Sequence, residues 1–360
     1  MRAIAISSVL IAHGALFFGV RPFFNSIYPY GYFGVDLFFV LSGFLIGEIL
    51  FRSLLRKRDK VGLGTLGNFW MRRWLRTLPN YYLFILINIA IAFWFAQRLP
   101  PIWKYLVFLQ NLNHPPSIFF TESWTLAVEV WFYLLTPILF FAALKIAPSK
   151  FRISTLLIIV ASIIVVTIVR SRDVAHLRPL PLFGARMTVI YRLDACMFGM
   201  FAAWVKQFFP EWFPRGRWIV FAAGLVVIGF GIFFVGHPGH SVFYRRASFT
   251  ATSLGAMMVL PLMDSWRAVP SGGQIVVRMS LWAYSLYMAN LPVRKIVEHF
   301  FTGSSPLVNC LVFLLFCFIV AELTYTFFER PMMDLRDRWP FRRRPLEPER
   351  SALENQTAGV

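Results

Sequence analysis

Ten long apolar segments, divided by short polar or proline-bearing stretches, limit this chain more than any other feature. They run over about 4–21, 33–51, 77–96, 123–145, 153–169, 187–205, 217–235, 247–264, 280–300 and 306–328. A bilayer core ~30 Å thick is crossed by about 20 apolar helical residues, because a helix satisfies its own backbone where no water is present. Composition agrees with that reading: 58% of the 360 residues are hydrophobic and only 15% are charged. The expected fold is therefore all-α, a polytopic membrane protein with about ten transmembrane helices. Its 40 phenylalanines and 12 tryptophans suit lipid-facing and interfacial surface.

The net charge of +19 points away from nucleic acid once its distribution is considered. Between the second and third segments lie Arg52, Arg56, Lys57, Arg58 and Lys60, followed by Arg72, Arg73 and Arg76. Such a basic loop belongs in the cytoplasm. Counting outward from it puts both termini inside. It also puts Lys145, Lys150, Arg152, Lys206, Arg215 and Arg217 inside, with the tail residues Arg336, Arg338, Arg342, Arg343, Arg344 and Arg350. Arg170, Arg172, Arg178, Arg245 and Arg246 fall outside by this count and break the pattern. Cys196, Cys310 and Cys317 all lie within apolar segments, with neither disulfide nor metal-ligand spacing.

The expected organisation is one membrane domain over 1–334 and a basic, disordered cytoplasmic tail over 335–360. The stretch 102–113 (IWKYLVFLQNLN) is apolar but too short to span, and reads as interfacial or re-entrant. The first segment resembles a secretory leader, yet it is long, carries His13 in its middle and precedes no A-x-A site, so it reads as retained.

Ionisable groups inside spans are functional candidates by default. Arg2 and His13 are eleven residues apart, which on a helix is ~1100°, about 20° past three turns. Both therefore project from one face, ~16 Å apart. At ~1.5 Å per residue from the basic edge, His13 falls near the midplane, and Asp36, Glu129, Arg192 and Asp194 fall between there and the outer leaflet. Imidazole alone takes and gives a proton near neutral pH, so His13 is the candidate base. Buried ion pairs that tie helices together are the other reading for Arg192 and Asp194, with Arg192 set against Asp36, Asp194 or Glu129. Arg73 and Arg76, at i and i+3, share a helix face and form a fork suited to phosphate, or they serve only as inside anchors.

These segments together resemble the acyltransferase-3 family of integral-membrane acyltransferases. GYFGVDLFFVLSGFLIGEIL (31–50), RAIAISSVLIAH (2–13), FWMRRWLRTLPNYY (69–82) and ESWTLAVEVWFYLLTP (122–137) match its motifs in order. YRLDACMFGM (191–200), AYSLYMANLPV (283–293) and FFERPM (327–332) match more weakly. The resemblance covers residues 2 to 334 and implies a multi-pass protein of the bacterial inner (plasma) membrane. The implied reaction moves an acyl group, commonly acetyl, from acyl-coenzyme A to a hydroxyl of a carbohydrate or lipid-linked glycan. Acyl-coenzyme A serves as co-substrate, with no tightly bound cofactor and no metal.

Carried over, His13 is the catalytic histidine, with Glu129 or Asp36 expected to orient its imidazole. Arg2 is the signature partner of that histidine, expected near the pantetheine path or the developing charge, and Arg73 and Arg76 lie on the donor side. Trp124, Tyr133, Arg192 and Asp194 complete the expected substrate-binding set. Three departures stand out: the chain reads Met1-Arg2 where the family has an aspartate-glycine-leucine lead-in, Thr125 replaces a common serine, and Asn290 replaces a common histidine. Ser42 is a candidate acyl relay, or a small residue for helix packing. The rival from another class is a proton-coupled transporter, which would also line a cavity with carboxylates and a histidine.

Overall fold

The computed structural model describes residues 1–19, 22–56, 61–176, 182–236, 242–266 and 273–338. Its described residues are helical or irregular, without strands. The helices are α1 (Arg2–Ala15), α2 (Pro22–Arg56), α3 (Leu63–Trp94), α4 (Ile102–Leu106), α5 (Ser123–Ile146) and α6 (Phe151–His176). They continue with α7 (Leu182–Arg186), α8 (Leu193–Phe208), α9 (Arg217–Gly236), α10 (Val242–Ser265), α11 (Gln274–Phe300), α12 (Pro306–Thr324) and α13 (Arg330–Arg338).

Each of the ten apolar segments overlaps a helix of 14 residues or more. Five helical stretches among the described residues are long and apolar enough to cross a membrane: Phe33–Arg56, Leu63–Trp94, Ser123–Ile146, Pro148–Arg172 and Pro306–Arg336. Arg2–Phe18 and Arg217–Phe233 are apolar but shorter. Helix α8 has 16 residues, or ~24 Å at 1.5 Å per residue, less than a bilayer core. The segment expected over 187–205 is not helical at its start, where Val189–Tyr191 forms a 3₁₀ turn.

Other boundaries also move. Helix α2 begins at Pro22 and α3 at Leu63, well before the apolar edges at 33 and 77. Arg73 and Arg76 therefore sit within α3 rather than in a loop before it. The stretch 102–113 gives only the single short helix α4 before irregular chain. Helix α13 continues past 334 through Arg338, so residues 335–338 are helical rather than disordered. Residues 339–360, with Arg342, Arg343, Arg344 and Arg350, lie outside the described residues, as do Lys57, Arg58, Lys60 and the side chains of Arg178, Arg245, Arg246 and Arg338.

Local chemistry explains several helix ends. Leu16–Phe18 tightens α1 into a 3₁₀ turn that stops at Gly19, whose φ of +68° favours a residue without Cβ. Helix α12 starts at Ser305, whose hydroxyl oxygen accepts the Val308 N–H at 3.4 Å, with Pro306 at the first helical position. Irregular chain at depth is tolerated because protein groups satisfy it. The N–H groups of Val189 and Ile190 donate to the carbonyls of Asn111 and Leu112 at 2.9 and 3.2 Å. The Asn111 amide donates in turn to the carbonyls of Met187 and Trp124, at 2.7 and 3.1 Å.

Lipid tails are as apolar as leucine, so close packing rather than the hydrophobic effect holds membrane helices together. Helix α2 forms the centre, flanked by α1 on one side and α8 on the other, with α9 and α10 packed as a pair. Two glycines let α2 and α8 touch. A Cβ on Gly43 would lie 1.9 Å from the Cys196 carbonyl oxygen, and one on Gly199 would lie 1.8 Å from that of Val40.

Candidate active site

Two cavities and one buried ionic cluster hold the ionisable residues singled out from the sequence. The first cavity lies between α1, α2, α3, α5, α11 and the π-helical turn Tyr325–Glu329. Three guanidiniums line it: Arg2 at the start of α1, with Arg73 and Arg76 from α3. Among the described residues, none of the three lies within 4.0 Å of a carboxylate oxygen. Two carboxylates share the cavity. Glu129 accepts the Ser42 hydroxyl at 2.5 Å and the Tyr133 hydroxyl at 3.0 Å. Glu329 accepts the Ser285 hydroxyl at 2.8 Å, and the Asn80 amide donates to that same hydroxyl oxygen at 3.2 Å. π-Helical turns often mark functional positions, and this one turns Glu329 inward. Three cations against two hydrogen-bonded carboxylates leave net positive charge for an anion.

His13 is in the second cavity, lined also by Glu122, Trp124, Arg186 and Arg294. Its Nδ1 lies 2.5 Å from Asn290 Oδ1. The Asn290 amide nitrogen is 2.6 Å from the Tyr287 carbonyl, a contact only an N–H₂ group can make favourably. Asn290 Oδ1 therefore faces the imidazole and can only accept, so Nδ1 carries the proton and Nε2 keeps its lone pair. Val35 and Tyr287 line both cavities and form the wall between them.

The third group is fully buried. Asp36 accepts from Arg186 at 2.7 Å through Oδ2, from Arg192 through Oδ1, and from the Thr252 hydroxyl at 2.7 Å. Arg170 pairs with Asp194 at 2.8 Å and also donates to the Tyr191 carbonyl and the Thr250 hydroxyl. The ring of Phe249 lies 5.5, 5.4 and 5.2 Å from the guanidinium carbons of Arg170, Arg186 and Arg192. Buried charges survive when they are paired, as these are, although Arg170 Nε, Arg192 Nε and Nη1, and Asp194 Oδ1 carry no further hydrogen bond.

This arrangement revises several expectations. Neither Glu129 nor Asp36 touches the imidazole: the first belongs to the arginine cavity, the second to the ionic cluster. Asn290, a departure from the family pattern, takes the orienting place instead. Arg192 does meet Asp36, whereas Asp194 pairs with Arg170 on a different helix. Arg2, Arg73, Arg76 and Tyr133 share the first cavity, and Trp124 lines the second. Arg192 and Asp194 line neither. Burial beside Asp194 also explains why Arg170 breaks the loop-charge pattern, since it is a core residue and not a loop cation. Arg186, Glu122 and Glu329 were not singled out in the sequence. The only signals there were an arginine in an apolar context, a carboxylate at a helix start and the FFERPM match.

Residues 1–326 match the family profile described as an acyltransferase domain, acyltransferase-3 type. The chain belongs to that family. It is 22% identical over 363 aligned positions to a Staphylococcus aureus protein named "Putative O-acetyltransferase", covering 92% of this chain and 56% of the relative. It is 33% identical over 134 positions to the peptidoglycan O-acetyltransferase of Listeria monocytogenes, covering 32% of this chain and 20% of that one. The chain spans about half the length of the Staphylococcus relative. No solved structure matches the chain at a significant level.

Proposed function

We propose that this membrane acyltransferase moves an acetyl group from acetyl-coenzyme A, bound in the arginine cavity, to a hydroxyl of a carbohydrate or glycan acceptor in the histidine cavity. The observation that carries the reading is the His13–Asn290 pair, which leaves Nε2 free as a base in a cavity one wall away from three guanidiniums without a carboxylate partner. Arg2, Arg73 and Arg76 hold the donor's phosphates, for which bidentate guanidiniums are well matched. Coenzyme A is long enough for its thioester to reach the wall at Val35 and Tyr287 from there. The acceptor oxygen attacks the thioester carbonyl while its proton passes to His13 Nε2. The tetrahedral intermediate then collapses, the carbon–sulfur bond breaks, and the imidazolium returns the proton to the thiolate. Asn290 holds the imidazole tautomer as the third member of hydrolase triads does. Tyr133 and Glu129 shape the donor side, and Trp124 the acceptor side.

In this reading the ten helical segments span the bacterial inner (plasma) membrane with both termini cytoplasmic. The basic residues of α2 and α3 mark the inner edge, where the donor enters. Membrane lipid surrounds the apolar faces, and the acceptor reaches the histidine cavity from the outer half.

The test is thiol release from acetyl-coenzyme A by the purified chain in nanodiscs. General-base loss in His13→Ala is expected to lower the rate by roughly 10²–10⁴-fold, with thermal stability retained. Arg73→Ala is expected to raise the donor KM roughly 10–100-fold, the loss of one charge-assisted hydrogen bond. Asn290→Ala is expected to lower kcat roughly tenfold at unchanged donor KM. Wild-type-like release from His13→Ala rules out the base role, and an Arg73→Ala effect confined to the acceptor contradicts the donor placement.

A further inference from the structure

The histidine cavity contains a buried carboxyl oxygen, Oε1 of Glu122, that accepts no hydrogen bond from the protein. Glu122 is the N-cap residue of α5, a position where the short side chain of an aspartate, asparagine or serine accepts from free helix amides. It makes no such bond. Its backbone carbonyl accepts the Thr125 N–H and hydroxyl at 3.4 and 3.2 Å, which fixes the residue while its side chain turns into the cavity. The residue is 3% exposed, and its Oε1 has no hydrogen-bond partner. An orphaned buried oxygen costs on the order of 1–3 kcal/mol, so its presence calls for an explanation.

The charged groups around it have partners of their own, and the imidazole is held through Nδ1. His13 faces Asn290, Arg186 pairs with Asp36, and Arg294 pairs with Glu298 at 2.6 Å. Lys295, on the same helix as Arg294, donates to the carbonyls of Ile118 and Phe119 at 3.4 and 3.2 Å. Burial pushes the Glu122 carboxyl up to about 8, against the pull of its own backbone N–H, the Lys295 ammonium and the Leu291 N–H. Near neutral pH it is therefore a carboxylic acid, able to donate through one oxygen and accept through the other. Adjacent hydroxyls of a sugar ring present that same pair of functions. Trp124 adds an aromatic ring to the wall beside it, a surface on which the C–H face of a sugar packs.

We propose that Glu122 is the acceptor-holding residue of the histidine cavity, hydrogen-bonding a hydroxyl of a carbohydrate next to the one that His13 deprotonates. This rests on the acetyl-transfer reading above. It adds a specificity determinant to that site, because a cavity built to bond a hydroxyl rejects analogues that lack it.

The experiment measures thiol release from acetyl-coenzyme A by the full chain in nanodiscs while chitotetraose or maltotetraose is titrated. Wild type is compared with Glu122→Leu and Glu122→Gln. Leucine is expected to raise the acceptor KM at least about tenfold, leaving the donor KM and the rate at saturating acceptor within about twofold. Glutamine keeps one donor and one acceptor, and is expected to restore the acceptor KM to within about threefold of wild type. The wild-type acceptor KM is expected to climb as pH passes about 8, with that climb absent in Glu122→Gln. His13, Arg186, Arg294, Lys295 and Tyr287 face the site unchanged in both. An acceptor KM that is the same in wild type and both variants overturns the proposal and leaves acetyl transfer standing. If the sugars fail to stimulate wild-type release, a sugar acceptor is wrong and the proposal falls with it. Absence of any wild-type release, with or without sugar, is instead the failure of the acetyl-transfer reading.

Discussion

Replacing Asp36 by asparagine tests whether that carboxylate holds the helices together or takes part in the chemistry. The substitution keeps the side chain's shape and removes one charge from a cluster of three guanidiniums and two carboxylates, so the net charge rises from +1 to +2. Arg186 and Arg192 both lose their carboxylate, at a site where Asp36 and Arg192 are 0% exposed. At an effective dielectric of about 20, one contact pair is worth about 4 kcal/mol. Removing one partner of a buried pair costs about 3–5 kcal/mol in practice, because the remaining charge stays buried. For a chain of this size that corresponds to a melting point lowered by roughly 4–7 °C. The assay is a thermal series in one detergent read by size exclusion, with thiol release measured well below the transition. Folded Asp36→Asn is expected to keep most of its activity, since Asp36 is bonded to Arg186, Arg192 and Thr252 and not to His13. Adding Arg192→Met is expected to recover part of the lost stability. A melting point within about 2 °C of wild type, with activity abolished, would refute the reasoning and return Asp36 to the catalytic set.

Two further outcomes check the packing and the charge balance. Gly199→Ala places a Cβ 1.8 Å from the Val40 carbonyl oxygen, where ordinary contact begins near 3.4 Å; α2 and α8 must part, at the upper end of the ~1–3 kcal/mol typical of overpacking. Gly229→Ala, with nothing within 4 Å of its Cβ, is the control, and equal melting points for the two variants would sink the argument. Glu122 has a folded-state value raised by burial from 4.5 to about 8, so its contribution to stability is full below 4.5 and is lost as pH rises through about 8. Wild type is therefore expected to lose melting temperature between pH 5 and 9 relative to Glu122→Gln, and parallel profiles would contradict the buried-acid reading.

The sequence by itself determined the helical segments, because apolar length and the need to satisfy backbone in lipid act locally along the chain. It also put Arg2 and His13 on one face of α1, and Arg73 and Arg76 on one face of α3, since helical spacing is a property of one helix alone. The motifs at 2–13, 31–50, 69–82 and 122–137 carried the family. Helix starts were less legible: α2 and α3 extend well before their apolar runs because a polar turn continues a helix as readily as an apolar one. Only the tertiary structure decided partners. His13 and Asn290 are 277 residues apart, Asp36 and Arg186 150, and Arg170 and Thr250 80. Periodicity within a helix says nothing of which helix comes to face it. Gly43 and Gly199 bring α2 against α8, and that contact helps carry Arg192 to Asp36 and away from the imidazole. The separation of the intramembrane charges into an anion cavity, a base cavity and a structural cluster is thus a consequence of how the helices pack, because buried charges take whichever partners that packing brings within reach.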